Sequence, residues 1–130
     1  MAEICRQFAN QRHIAINVNA QPLTQRLPQE VSLCFYRVAQ EALTNAVKHS
    51  NSSRVDVTVA TDGGVLRMRI KDFGVGFDPG ARGTGLGLVT MQERLRMIGG
   101  VLRLHSVPGE GTEIEAEASI GDADHSAKTA

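Results

Sequence analysis

PQEVSLCFYRVAQEALTNAVKH, from Pro28 to His49, followed after a short polar gap by RVDVTVATDGGVLRMRIK, from Arg54 to Lys71, sets the fold class. Pro28 suits a first helical position, and Gln29 and Glu30 follow it near the positive end of the helix dipole. On a helical wheel Val31, Phe35, Val38, Ala39, Ala42 and Ala46 share one face, with Arg37, Gln40, Thr44 and Lys48 opposite, so the helix lies against a core. The second run changes period to two. Val55, Val57 and Val59, the turn Asp62-Gly63-Gly64, and then Leu66, Met68 and Ile70 read as a hairpin with one buried face.

Upstream, Ile14 to Asn19 alternates in the same way and is followed by a loop with Pro22. Downstream, residues 72–85 form a glycine-rich loop and Leu86 to Ile98 a second helix stopped by Gly99-Gly100. Val101 to Ser106 and Thr112 to Ile120 then pair around Pro108-Gly109-Glu110-Gly111. The order is strand, helix, two strands, loop, helix, two strands. It predicts an α/β sandwich of two layers, helices on one face of a mixed, mostly antiparallel sheet. Residues 1–120 form one domain, and 121–130, small and polar, read as a frayed tail.

With 130 residues there is room for one domain, and fourteen basic against fourteen acidic side chains supply no field for nucleic acid or anionic lipid. No apolar run is long enough to span a bilayer and no secretory signal opens the chain, so the expectation is a soluble, cytoplasmic domain without membrane contact. Cys5 and Cys34 fit no metal-ligand spacing and read as reduced thiols without zinc.

Chemistry concentrates at three places. Asn45 and His49, one turn apart, project into the sector of Val31, Val38 and Ala42, with Glu41 at its edge. Either a polar cavity lies there, or the helix outruns the core and its last turns are wet. Lys48 and His49 also suit the negative end of the helix. Asp72 opens Asp72-Phe73-Gly74-Val75-Gly76-Phe77-Asp78. An acceptor-only carboxylate can take a hydrogen bond from the exocyclic amine of adenine, where guanine offers a carbonyl, a contact worth roughly 10⁴-fold in selection. Read structurally, Asp72 and Gly74 are turn formers after a strand. Finally, Gly83-Thr84-Gly85-Leu86-Gly87-Leu88 runs into the second helix, where free N–H groups suit a phosphate. It is neither the GxGxxG of a dinucleotide fold nor a Walker loop, and the protein-kinase HRD and VAIK signatures are missing.

Taken in order, Glu41 to His49, Asp72 to Phe77, Gly83 to Leu88 and Gly109-Glu110-Gly111-Thr112 resemble the ATP-binding domain of bacterial sensor histidine kinases, within the superfamily shared with gyrase, mismatch-repair ATPases and one chaperone family. Phe35 to Glu41 and Met91-Gln92-Glu93-Arg94-Leu95 with Gly99-Gly100 are similar to the nitrate-sensor and desaturase-sensor type. The resemblance covers about residues 5–120 and implies a Bergerat-type fold, about five strands under about three helices. It implies ATP and Mg²⁺ as cofactors, with Asn45 ligating the metal and Lys48 and His49 near the phosphates. Asp72 would hold adenine, Gly74 and Gly76 would line the base pocket, and Thr112 would support the adenine side. Gly83, Thr84, Gly85, Leu86 and Gly87 would form the lid over the triphosphate, and residues 78–86 are expected to order only with nucleotide. Glu41 would activate water, orient metal-bound water, or assist an incoming imidazole. Phe73 departs from the pattern, which has Asn or Asp there.

A phosphoacceptor histidine is commonly followed by Asp or Glu; His13 precedes Ile14, and His49, His105 and His125 each precede a serine. The chain is therefore expected to be a catalytic domain from a longer protein, serving a dimerisation segment that carries the acceptor histidine and, through it, a response regulator. The alternatives are an anti-sigma-factor serine kinase and a regulatory nucleotide-binding module without transferase activity.

Overall fold

Each alternating run becomes a strand and each 3.6-period run a helix. In the computed structural model, which describes residues 6, 15–21, 26–48, 54–74 and 85–120, the elements are β1 (Ala15–Ala20), α1 (Gln29–Lys48), β2 (Arg54–Asp62), β3 (Val65–Asp72), α2 (Gly85–Met97), β4 (Val101–Val107) and β5 (Gly111–Ser119). The five strands form one sheet in the order β1-β2-β3-β5-β4. β1 runs parallel to β2 and every other neighbouring pair is antiparallel, so the sheet is mixed, as expected. Two helices are described over their whole length; Arg6 is also helical, but the residues around it lie outside the described ones, as does the 121–130 tail.

α1 begins where Pro28 places it. The Pro28 carbonyl accepts from the N–H groups of Val31 and Ser32, each at 3.1 Å. Its buried stripe contains every apolar residue that the wheel assigns to it and adds Cys34 and Leu43. Leu43, 1% exposed, lies off the centre of the predicted face, on the flank of α1 opposite to the one that Glu41 turns toward α2. Burial pushes the Cys34 thiol up, with the Arg94 charge opposing more weakly, so it stays protonated at neutral pH. That agrees with a free thiol, while Cys5 lies outside the described residues.

α2 ends in a left-handed turn at Gly99, φ 76°. Gly100 N–H donates to the Leu95 carbonyl at 2.7 Å and Gly99 N–H to that of Arg96 at 3.0 Å, the paired bonds of a Schellman stop. Leu95, with no exposure, and Met91 carry the buried side of this helix.

The two faces of the sheet have opposite chemistry. Val55, Val57, Leu66, Met68, Ile70, Ile114, Ala116 and Ala118 are buried beneath the helices. On the other face, β3, β5 and β4 interleave arginine and glutamate: Arg67 and Arg103 both bond Glu117, at 3.0 and 2.9 Å, and Arg103 also reaches Glu115 at 3.1 Å. These two guanidinium groups hold the Glu117 carboxyl below its ordinary range. Exposed pairs of this kind stabilise little individually. Their main effect is to keep the uncovered face wet, which makes the domain two layers rather than three.

Candidate functional site

Three of the buried rows end in polar residues at the same edge of the sheet. On β3 the row Leu66, Met68, Ile70 ends in Asp72; on β5 Ala118, Ala116, Ile114 ends in Thr112; on β4 Leu102, Leu104 ends in Ser106. Asp72, Thr112 and Ser106 are only 5%, 5% and 6% exposed. Buried polar groups need partners, and these supply one another. Asp72 Oδ1 accepts from Gly74 N–H at 3.0 Å and Thr112 N–H at 3.2 Å. The hydroxyls of Ser106 and Thr112 lie 2.8 Å apart, and Ser106 Oγ donates to the Gly111 carbonyl at 3.3 Å. The bond from Gly74 closes a turn two residues after Asp72, so the turn-forming reading of Asp72 is correct. The same geometry fixes the carboxylate at the end of the core, where a flat ligand could meet it.

Ser106 is the member that sequence reading missed. A signal was present, because period two puts Ser106 in the row of Leu102 and Leu104, and a hydroxyl in a buried row implies a partner.

Gly111 makes the junction possible. Its φ is +90°, and a Cβ there would run into the Asp72 backbone carbonyl and come within 3.2 Å of Phe73 Cα. Gly111→Ala combines left-handed strain, about 1–3 kcal/mol, with a clash against backbone that cannot rotate away. The expected result is a drop of at least about 2 kcal/mol in unfolding free energy by denaturant titration, with the Thr112 and Gly74 amide resonances the most displaced.

Phe73, where the family pattern has Asn or Asp, is 46% exposed and lies under two cations, Arg54 Cζ at 4.6 Å from the ring centroid and Lys71 Nζ at 5.5 Å. The ring therefore braces the start of the loop from the strand side.

The second group of site residues is on the helices. Glu41 and Asn45, one turn apart on α1, are half-buried. The Glu41 carboxylate occupies the space where a Cβ of Gly87 would stand, bringing the middle of α1 against the first turn of α2. Asn45 has no hydrogen-bond partner among the described residues. Gln40 and Thr44 are also half-buried, although the wheel turned them away from the core; with Arg37, Glu41, Thr90, Met91 and Arg94 they line a groove of about 260 Å³ between the helices. One-face periodicity registers contact with the sheet and not with a second helix.

Among the expected site residues, the structure brings Asp72, Gly74 and Thr112 together at the sheet edge, and Glu41 and Gly87 together at the helix contact. Asn45 lies one turn beyond Glu41, and Lys48 is the last residue of α1. Gly85 and Leu86 open α2. His49, Gly76, Gly83 and Thr84 lie outside the described residues, as do the other residues of the 78–86 segment up to residue 84. No group of three or more His, Cys, Asp or Glu among the described residues could hold a metal without help. A hard amide oxygen beside one carboxylate fits Mg²⁺ only where a ligand's oxygens complete the shell. No described helix is long and apolar enough to cross a membrane.

Comparison with known proteins agrees with this architecture. The sensor histidine kinase MctS of Rhizobium johnstonii is 38% identical over 107 residues, 79% of this chain but 23% of that protein, so the chain spans less than a quarter of that relative. The histidine kinase domain of the blue-light activated histidine kinase of Erythrobacter litoralis EL346 shares the fold with a TM-score of 0.79 at 22% identity, over 92% of this chain and 58% of that one. Full-length ShkA, solved in complex with AMPPNP, matches with a TM-score of 0.74 at 28% identity, over 94% of this chain and 29% of that one. Residues 30–121 match the model of one family, and the chain belongs to it: the Histidine kinase-, DNA gyrase B-, and HSP90-like ATPases, in the ATP-binding form carried by sensor histidine kinases.

Proposed function

We propose that this domain binds ATP with Mg²⁺ and donates the γ-phosphoryl group to a histidine on a separate dimerisation segment, from which it passes to an aspartate of a response regulator. The observation that carries the reading is the buried Asp72 carboxylate, oriented by the N–H groups of Gly74 and Thr112 at the edge of an ATPase-family sheet. The AMPPNP in ShkA and the name of MctS point the same way.

In this reading Asp72 accepts from the adenine amine, Gly74 and Gly76 allow close approach of the base, and Thr112 backs it. Asn45 would hold Mg²⁺, with Lys48 and His49 near the phosphates and residues 83–87 around them. The metal supplies neutralisation of phosphate charge. The acceptor imidazole nitrogen forms the new N–P bond as the bond from the γ-phosphorus to the bridging oxygen breaks, and ADP leaves with that electron pair. Glu41 is the carboxylate that takes up the imidazole N–H. These partners and the use of ATP support a cytoplasmic location.

Incubating the domain with Mg²⁺, labelled ATP and the dimerisation segment of a cognate sensor should give acid-labile, base-stable phosphohistidine. Acid-stable phosphoserine would favour a serine kinase, and nucleotide binding without any transfer would favour a regulatory module.

A further inference from the structure

The charges of the groove between α1 and α2 are not neutralised as those of the sheet are. Arg54, Arg67, Arg69, Arg96 and Arg103 each pair with a carboxylate. Arg37 and Arg94, which line the groove, form no ion pair with any described residue, although Glu41 lines it too. Arg37 Nη1 donates only to Gln40 Oε1, at 3.3 Å. Two guanidinium groups and one carboxylate in a concave space of about 260 Å³ leave an excess positive charge in a place that admits a side chain. On α1, Leu33 and Tyr36, 54% and 39% exposed, stand one turn before the groove-lining Arg37 and Gln40. A polar centre with exposed apolar side chains beside it suits another protein segment better than a free ion.

The Glu41 end decides which segment. Its carboxylate abuts Gly87 in the first turn of α2, the turn that the proposed function sets around the triphosphate. Whatever fills the groove therefore lies beside the γ-phosphoryl. Resting on that reading, we infer that the groove seats the acceptor segment, with Arg37 and Arg94 holding an acidic side chain next to the acceptor histidine while its imidazole reaches Glu41. Arg37 and Arg94 are then positioning residues that select the acceptor by charge.

The test separates docking from chemistry. Binding of the domain to the dimerisation segment of a cognate sensor, measured by calorimetry without nucleotide, should weaken about tenfold or more in R37E/R94E and should weaken with added salt. The variant should retain the wild-type ADP affinity and thermal midpoint, since both side chains are exposed. Reversing the acidic residues beside the acceptor histidine to arginine should restore binding to the variant and impair it for the wild type. R37Q/R94Q, which removes charge without reversing it, should fall between. Unchanged binding in R37E/R94E, a loss that charge reversal does not repair, or no binding by the wild type would each overturn the inference. Failed transfer with charge-dependent docking intact would instead count against the proposed function.

Discussion

Asn45→Ala is expected to reduce phosphoryl transfer at least about 100-fold, because even partners one shell out from a metal typically matter by 10- to 100-fold. Asn45 is half-buried in the last turns of α1 and has no hydrogen-bond partner among the described residues, so its removal strands no other group. The thermal midpoint should therefore change little. The deficit should also depend on metal: raising Mg²⁺ recovers part of the activity if Asn45 is a ligand and none if it only shapes the helix. Quench-flow transfer rates at several Mg²⁺ concentrations, with circular dichroism melts alongside, distinguish these outcomes.

Asp72 is expected to give the other large effect, and two substitutions divide its roles. Asp72→Asn keeps an oxygen to accept from Gly74 and Thr112 and so preserves the turn. It replaces a charged acceptor with a neutral one and brings an amide donor into the base site. A hydrogen bond to a charged group contributes about 1.5–3 kcal/mol, so ATP affinity should fall roughly 10- to 150-fold with folding intact. Asp72→Ala also leaves the buried Thr112 N–H without its acceptor, which costs about 1–3 kcal/mol of stability. A melt in which Asp72→Ala is clearly less stable than Asp72→Asn, with both weak in nucleotide binding, fits a carboxylate that serves structure and ligand together. Equal ATP affinity in Asp72→Asn and the wild type would remove Asp72 from the base site.

Most strands and both helices were legible because they bury one face; β1 alternates as expected but does not bury the face expected of it, with Ile16 half-buried and Val18 38% exposed. Alternation located β1 to β5 and the helical stripe located α1 within a residue or two, since burial on one side imposes a period whatever the partner. The tight turns at Gly63-Gly64 and Gly109 carry positive φ, as hairpins with glycine there require. Contacts between distant segments were less legible. The β3–β5 pairing joins residues about fifty apart in sequence, and the Arg37–Arg94 groove depends on how α1 and α2 dock. No local period encodes these.

At the site, residue identities were readable and their support was not. Asp72 and Thr112 could be named from motifs, but that Thr112 N–H orients Asp72, that Ser106 completes the cluster, and that Gly111 yields space to the Asp72 carbonyl all follow from the register at the ends of β3, β4 and β5. The seat of the Glu41 carboxylate is likewise tertiary, since it uses the missing side chain of Gly87 on another helix.

In the proposed function Asp72, at the strand ends, selects adenine. Calorimetric titration of the wild-type domain with ADP and then GDP, both in Mg²⁺, tests it most directly. Saturable ADP binding is expected, with GDP binding at least about 1,000-fold weaker, because a fixed carboxylate facing the guanine carbonyl leaves a buried charge unpaired. Equal affinity for the two nucleotides, or no heat from either, would contradict it.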